Sequence, residues 1–445
     1  MARWFRRVAW VGAFLAGVAF AQVGVTPGTN GWIYLNEEFL FGNDEKPGDI
    51  ADTLAMVKGV GALLKRRGIR LAVALVPTKA RTYPQFLPPG VASSPVIASR
   101  YRRALDALQA AGIVAPDLAA AFKSSRLGTG DFPLFIRLGS HWSTPGALQA
   151  AESLAAALWA AGLRPAVPAV KYALKWLDPV PSPDSLLKAL GQDAPGALPP
   201  ESYRPLEVTR VTPEPGGLLG PEVVPAVTLV GTSYSEAAWN FPGALRYALQ
   251  ADVLDVSQPG KNIWAPMSDY VTSDRYQATP PKVLVWEIPE RYLLTPPGGP
   301  RGGGTSWLVD VAAAPILGAC AKPLTGATLK VSSGLQARGL DATAGATDAK
   351  SVLNFRFAKP TGLADYLSVM VRSTAPSFTL DLDDGRGPGK ATPVRVAVEP
   401  DGAWHRVNVV LMTQTGRGYA GLRLLPGATQ GFGVRDFRVC AMPQP

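Results

Sequence analysis

Leu71-Ala72-Val73-Ala74-Leu75-Val76 is a continuous apolar run of strand length, stopped by Pro77. A run without polar alternation suits a parallel strand covered on both faces. Just upstream, Asp49 to Arg67 predicts a helix, with Ile50, Leu54, Val57, Val60, Leu63 and Leu64 at helical spacing and Gly68 in the C-cap position. Downstream, Ser94 to Ala111 predicts a second helix with Tyr101, Leu105 and Leu108 on one side, followed by Gly112-Ile113-Val114. Phe132 to Leu138 reads as a strand. Thr144 then caps an alanine-rich helix that has Pro145 at its first position and ends near Ala161. The rhythm returns with a strand at Ala226 to Val230, a helix near Pro242 to Leu249, and strands at Val253 to Val256 and Lys282 to Trp286. Such alternation predicts an α/β domain with a mainly parallel sheet over residues 22–294.

One segment breaks the pattern. Residues 178–225 are proline-rich (Pro179, Pro181, Pro183, Pro195, Pro199 and Pro200 among others), with a short helical piece near Ser185 to Leu190. They read as an insertion over the sheet or a lid. After Trp286 comes a Pro/Gly linker over 295–304, which can bury nothing. Beyond it, over 305–445, period-two stretches at Tyr366 to Val371, Phe378 to Leu382, Val394 to Val398 and Arg406 to Met412 are separated by Gly, Asp and Pro turns. That text predicts an all-β sandwich.

The 445-residue chain opens with Arg3, Arg6 and Arg7, an apolar stretch Val8 to Val18, and Ala19-Phe20-Ala21. This is a signal peptide over 1–21, with an uncleaved anchor as the alternative; the mature protein is expected in the periplasm or outside the cell. The formal charge of +10 is modest for the length, and no basic stripe is interleaved with aromatics, so nucleic acid is not expected as a partner. The two cysteines, Cys320 and Cys440, lie near the two ends of the second domain and are expected to form a disulfide that closes it, with two buried free thiols as the alternative. Two cysteines and two histidines without ligand spacing give no metal site and no cofactor.

In an open parallel sheet, ligands bind beyond the carboxyl ends of the strands. Four loops would share that rim: Pro77-Thr78-Lys79, Gly139-Ser140-His141, Gly231-Thr232-Ser233 and the loop carrying Asn262. A serine hydroxyl needs an imidazole to take its proton. On this rim Ser233 would be nucleophile and His141 general base. The backbone N–H of Ser233 and the side chain of Asn262 would face an oxyanion. Lys79 and Arg137 are candidates to hold an anionic substrate, with a solvated surface as the alternative, and Trp142 and Tyr234 to stack on a ring of that substrate, with core packing as the alternative for both aromatics. His405 opens a strand after a turn and is assigned no catalytic role. Trp307 and Trp404 read as packing residues first, with glycan contact as the alternative.

These residues resemble a known family. Gly28 to Leu35 is similar to its G-x-x-G-W-[IL]-[FY] opening, and Val76-Pro77-Thr78-Lys79 to its P-x-K segment. Ser140-His141-Trp142-Ser143 is similar to its D-x-H-W-[ST] motif, and Gly231-Thr232-Ser233-Tyr234-Ser235 to its G-D-S-[FY]-S motif. The family is the SGNH-hydrolase-like O-acetyltransferases of alginate and related exopolysaccharides. The resemblance implies a flavodoxin-like SGNH-type fold, acetyl transfer through an acyl-serine, and a membrane-bound O-acyltransferase as acetyl supplier. It also implies a carbohydrate-binding role for the C-terminal sandwich. Two positions depart from the pattern: Gly139 stands where the family has its orienting aspartate, and Thr232 where it has the aspartate before the serine. Asp131 is the first choice to replace the missing acid, and Glu236 the second. A deacetylating esterase of the same fold, and a polysaccharide-binding scaffold without activity, stay open as rivals.

Overall fold

The computed structural model describes residues 24–39, 50–128, 130–190, 201–213, 224–295, 319–332, 334–362, 365–385, 393–411 and 418–441. The signal sequence, the linker beyond residue 295, Trp307 and Met412 lie outside the described residues, as do 191–200 and 214–223 of the proline-rich segment.

Four parallel strands form the first sheet in the order Arg70–Val76, Val283–Pro289, Val227–Val230, Val253–Asp255. The apolar run is buried from Leu71 to Val76, as both-face coverage requires. Helices Ala51–Arg66 and Pro95–Ala110 pack one side of this sheet through Leu54, Val57, Val60, Leu63, Tyr101, Leu105 and Leu108. Helices Thr144–Ala160 and Phe241–Leu249 pack the other through Leu148, Leu154, Leu158, Ala244 and Leu245. Val114 adds a single parallel bridge to Ala72 at the sheet's edge.

The expected strand at Phe132 to Leu138 is not one. An isolated antiparallel bridge joins Phe135 to Trp142, so these residues make a tight turn back on themselves. The backbone of Ile136 donates to the His141 carbonyl at 3.0 Å, and that of Ser143 to Leu134 at 2.9 Å. Pro133 has no N–H for a ladder, which favours the turn over a sheet strand. Tyr172–Trp176 pairs with Leu206–Arg210 of the proline-rich segment, and Val180–Pro181 with Ser202–Tyr203 inside it.

The C-terminal residues form two five-stranded antiparallel sheets. Their inner faces meet in a core of Leu353, Phe355, Leu380, Leu422, Phe432 and Val434, with Phe355 and Phe437 stacked at 3.9 Å. Cys320 and Cys440 are joined as a disulfide with Cα atoms 5.8 Å apart. Cys440, Tyr366 and Val410 belong to the same buried cluster as the helix Ala51–Arg66, so the sandwich packs directly on the α/β unit.

Candidate active site

Strand Val227–Val230 is buried throughout and delivers the chain into Gly231-Thr232, after which Ser233–Ser235 forms one helical turn. The turn is fixed from below by Glu287, a buried residue of the neighbouring strand. Its carboxylate accepts from the Thr232 N–H at 2.6 Å, the Thr232 hydroxyl at 3.0 Å and the Ser235 hydroxyl at 3.2 Å. Burial pushes the Glu287 carboxyl up to about 7 against those hydrogen bonds. Gly231 is needed here because a Cβ would lie 2.8 Å from Glu287 Oε2 and 2.9 Å from Ser257 Oγ. Thr232 therefore occupies its position with a neutral donor, where an aspartate would face a second carboxylate. Ser233 stands first in the helical turn, and an N–H in that position has no carbonyl partner within its own turn.

His141 reaches Ser233 from the bridged turn of residues 135–142. Its Nε2 lies 2.8 Å from Ser233 Oγ. The imidazole is held between two aromatic rings: Tyr234, with centroids 4.9 Å apart, and Trp239, stacked at 5.5 Å and 18°. Its Nδ1 is 2.7 Å from Asp184 Oδ2. The same carboxylate accepts from the backbone N–H of Ser140 at 2.6 Å and of His141 at 2.9 Å. Burial works to raise the Asp184 pKa, but the hydrogen bonds and charge of His141 with the two backbone donors outweigh it and hold the carboxyl below its ordinary value.

The carboxylate against the imidazole is thus Asp184, from the proline-rich segment. The expectation for Asp131 is corrected: that residue is exposed at the start of the 131–134 turn. Glu236 lies past the Ser233 turn, with its carbonyl accepting from Trp239 and Asn240, and it does not take the acid's place either. Gly139 explains the exchange. A Cβ on Gly139 would run into the Asp184 carboxylate, so the absent side chain is the space the acid enters.

Several residues read as substrate contacts have other work. Lys79 is fully buried and donates to the carbonyls of Ile136 and Arg137, both at 3.1 Å, and to that of Gly139. It cannot meet a sugar carboxylate. Trp142 is buried, with its indole N–H on the Tyr234 carbonyl at 2.7 Å. Tyr234 is buried too, donating to the Ser140 carbonyl at 2.8 Å and accepting from Arg291 at 3.0 Å. Both aromatics are core and neither offers a face to a ligand. The amide oxygen of Asn262 accepts from the N–H groups of Trp264 at 2.9 Å and Ala265 at 3.0 Å, at the start of helix Trp264–Val271. Arg137 keeps a partly exposed side chain whose Nε lies 3.3 Å from Glu201. His405 pairs with Asp401 at the edge of the sandwich, away from any nucleophile turn. Trp404 is half-buried, with the Arg435 and Arg372 guanidiniums 4.3 and 5.3 Å from its ring.

Sequence reasoning missed Asp184, Glu201 and Trp239. Asp184 left one indirect signal, the empty position at Gly139, but nothing local told it from the other acids of its segment. Among the described residues no group of three or more His, Cys, Asp or Glu side chains is arranged to hold a metal. The Ser233–His141–Asp184 constellation has the geometry of a hydroxyl nucleophile, a base and an orienting carboxylate, the requirement for acyl transfer.

A family model described as the SGNH hydrolase-like domain of acetyltransferase AlgX matches residues 25–290. The chain belongs to this acetyltransferase family. Among curated proteins it is 34% identical over 286 residues to a probable alginate O-acetylase AlgJ of Pseudomonas aeruginosa, covering 61% of this chain and 70% of that one. It is 29% identical over 242 residues to the alginate biosynthesis protein AlgX of Pseudomonas fluorescens, covering 52% and 48%. The solved O-acetyltransferase domain of Pseudomonas putida AlgJ superposes with a TM-score of 0.55 at 28% identity, over 66% of this chain and 99% of that one. Pseudomonas aeruginosa AlgX superposes with a TM-score of 0.55 at 17% identity, covering 94% of this chain and 95% of its own. That last likeness is one of fold, and it spans both the α/β unit and the sandwich. Members of the family thus share the parallel sheet on whose rim Ser233 and His141 sit.

Proposed function

We propose that the protein transfers acetyl groups to hydroxyls of an exported polysaccharide, alginate or a polymer like it, through an acetyl-Ser233 intermediate. The observation that carries this reading is the continuous hydrogen-bonded line from Ser233 Oγ through His141 to Asp184. In the first half-reaction Ser233 Oγ attacks the acetyl carbonyl of the donor while His141 Nε2 takes its proton. Asp184 holds the other imidazole proton on Nδ1 and balances the imidazolium that forms. The Ser233 N–H donates to the tetrahedral oxyanion. The intermediate collapses to acetyl-Ser233 as the donor's leaving group departs with the proton from His141. In the second half-reaction a sugar hydroxyl gives its proton to His141 and attacks the acyl carbon; Ser233 Oγ leaves and is reprotonated by His141.

The family assignment supports transfer to a polysaccharide, and the export signal supports a periplasmic or extracellular site of action. A membrane-bound O-acyltransferase is the proposed source of acetyl groups, and the C-terminal sandwich the proposed carbohydrate-binding unit. The scaffold reading rested on a missing acid, and Asp184 removes its motive. Incubation with p-nitrophenyl acetate and oligomannuronate tests the proposal: release of p-nitrophenol with acetylated oligomer supports transfer. Release with free acetate alone, unaffected by oligomer, marks an esterase. Neither product from folded protein refutes the reading.

A further inference from the structure

The backbone between the acid-facing and base-facing parts of the site is unusually well tied down. From Ile136 to His141 every peptide N–H and C=O has a partner. Glu201 takes the N–H groups of Arg137 at 2.9 Å and Leu138 at 2.8 Å. Asp184 takes those of Ser140 and His141. The N–H of Ile136 meets the His141 carbonyl, and that of Gly139 the Ile136 carbonyl at 3.3 Å. On the carbonyl side, Leu138 accepts from the Leu186 N–H at 2.7 Å and Ser140 from the Tyr234 hydroxyl. Ile136, Arg137 and Gly139 all accept from one group, the Lys79 ammonium.

An ammonium has three N–H donors, and here each has a carbonyl. Lys79 stands at the start of the turn after strand Arg70–Val76, with its Nζ 5.4 Å from the Tyr34 ring centre and 5.9 Å from that of Trp32. Burying a charge is costly unless it is paired and hydrogen-bonded. A single ammonium satisfies three carbonyls of one turn at once, which ties their positions to one another.

We propose that Lys79 and Glu201 are positioning residues, a two-sided clamp whose opposite charges set the 136–139 backbone and so place the His141 imidazole against Ser233. The proposal rests on the catalytic reading above. It replaces the anion-holding role read for Lys79 in the sequence. The charged and titratable groups facing Lys79 are Glu38 from the turn Asn36–Glu38, Asp184 and Glu201 from the proline-rich segment, Arg291 from the turn Glu290–Leu294, and Tyr34 from the strand Ile33–Leu35. Burial pulls the Lys79 pKa down to about 8 against the acids that raise it. A neutral amine has one N–H fewer, so one carbonyl is released as pH rises through that value.

The test uses the full chain and p-nitrophenyl acetate, with Ser233 modification by a sulfonyl fluoride as the second readout. Lys79→Met keeps the length of the side chain and deletes its donors. In folded Lys79→Met, kcat is expected to fall about 100-fold with KM within about twofold of the parent, the signature of misplacement without lost binding. Sulfonylation of Ser233 slows in parallel. The unaltered protein loses kcat above about pH 8, and that alkaline limb disappears in Lys79→Met. Should Lys79→Met not fold, Glu201→Gln, which gives up one of the two N–H contacts, is read the same way and is expected to lower kcat at constant KM. A folded variant with parental kcat, or an alkaline limb unchanged by Lys79→Met, overturns the clamp. Unaltered protein whose Ser233 is not sulfonylated removes the catalytic reading, and the clamp with it; normal sulfonylation in both proteins removes the clamp alone.

Discussion

Replacing Asp184 by asparagine isolates what its charge does for His141. The carboxylate accepts three hydrogen bonds, from His141 Nδ1 at 2.7 Å and from the N–H groups of Ser140 and His141. An asparagine oxygen can keep the two backbone donors, so the turn stays in place. All three donors converge on Oδ2, so that oxygen keeps the Nδ1 contact as well, and what is lost is the negative charge that balances the imidazolium formed when Nε2, 2.8 Å from Ser233 Oγ, takes the proton. In a serine protease the corresponding change costs on the order of 10⁴ in kcat. At 1.36 kcal/mol per tenfold this is about 5 kcal/mol of transition-state stabilisation. Asp184→Ala should lose as much and also free the Ser140 and His141 N–H groups. In the Asp184→Ala background, Gly139→Asp places a carboxylate back in the vacated space and should recover part of the lost rate. Gly139→Asp alone puts two carboxylates in one place and should reduce both activity and stability. Steady-state hydrolysis of p-nitrophenyl acetate reads all four proteins. Asp184→Asn within about tenfold of the parent would refute the role assigned to the acid.

Glu287 carries a pH signature. Its folded-state pKa is raised from 4.5 to about 7, so the folded protein holds a proton there that the unfolded chain has released, and the stability this gives is complete below 4.5 and lost as pH rises through about 7. Urea unfolding at about pH 5 and about pH 8 should show that loss in the parent and a smaller one in Glu287→Gln, which cannot titrate. Asp184 has the opposite sign: its depressed pKa contributes stability above the ordinary carboxylate range that is lost as pH falls below it, and Asp184→Asn should flatten the acid side of the stability profile. The disulfide closes a loop with a sequence separation of 120 residues. Changing both Cys320 and Cys440 to serine should lower the unfolding free energy by about 2–5 kcal/mol by denaturant titration.

Much of the architecture was legible because periodicity reports burial. The run at Leu71–Val76 and the two early helices are where the apolar spacing put them, and the sandwich strands lie within a residue or two of the period-two stretches. Ser233 and His141 could be found because each sits in a compact motif just beyond an apolar run. What escaped were groups whose partners are distant in sequence. Asp184 joins His141 across 43 positions and Glu201 joins Leu138 across 63, and no spacing rule connects them. Lys79 was read as an anion contact on the rim because a lysine is rarely buried, and its three carbonyl partners belong to a turn mistaken for a strand. Trp142 and Tyr234 look like sugar platforms in a motif, yet each places a polar tip on buried backbone and its ring in the core.

The central claim is that Ser233 carries the acetyl group. Acid-quenched protein, taken during turnover of p-nitrophenyl acetate, can be digested and its peptides mapped by mass spectrometry. One acetyl group is expected on Ser233, absent from Ser233→Ala, accumulating in His141→Ala only slowly, and lost when oligomannuronate is added as acceptor. Turnover by folded protein with no acetyl on Ser233, or acetylated oligomer formed at the parental rate by Ser233→Ala, would contradict it.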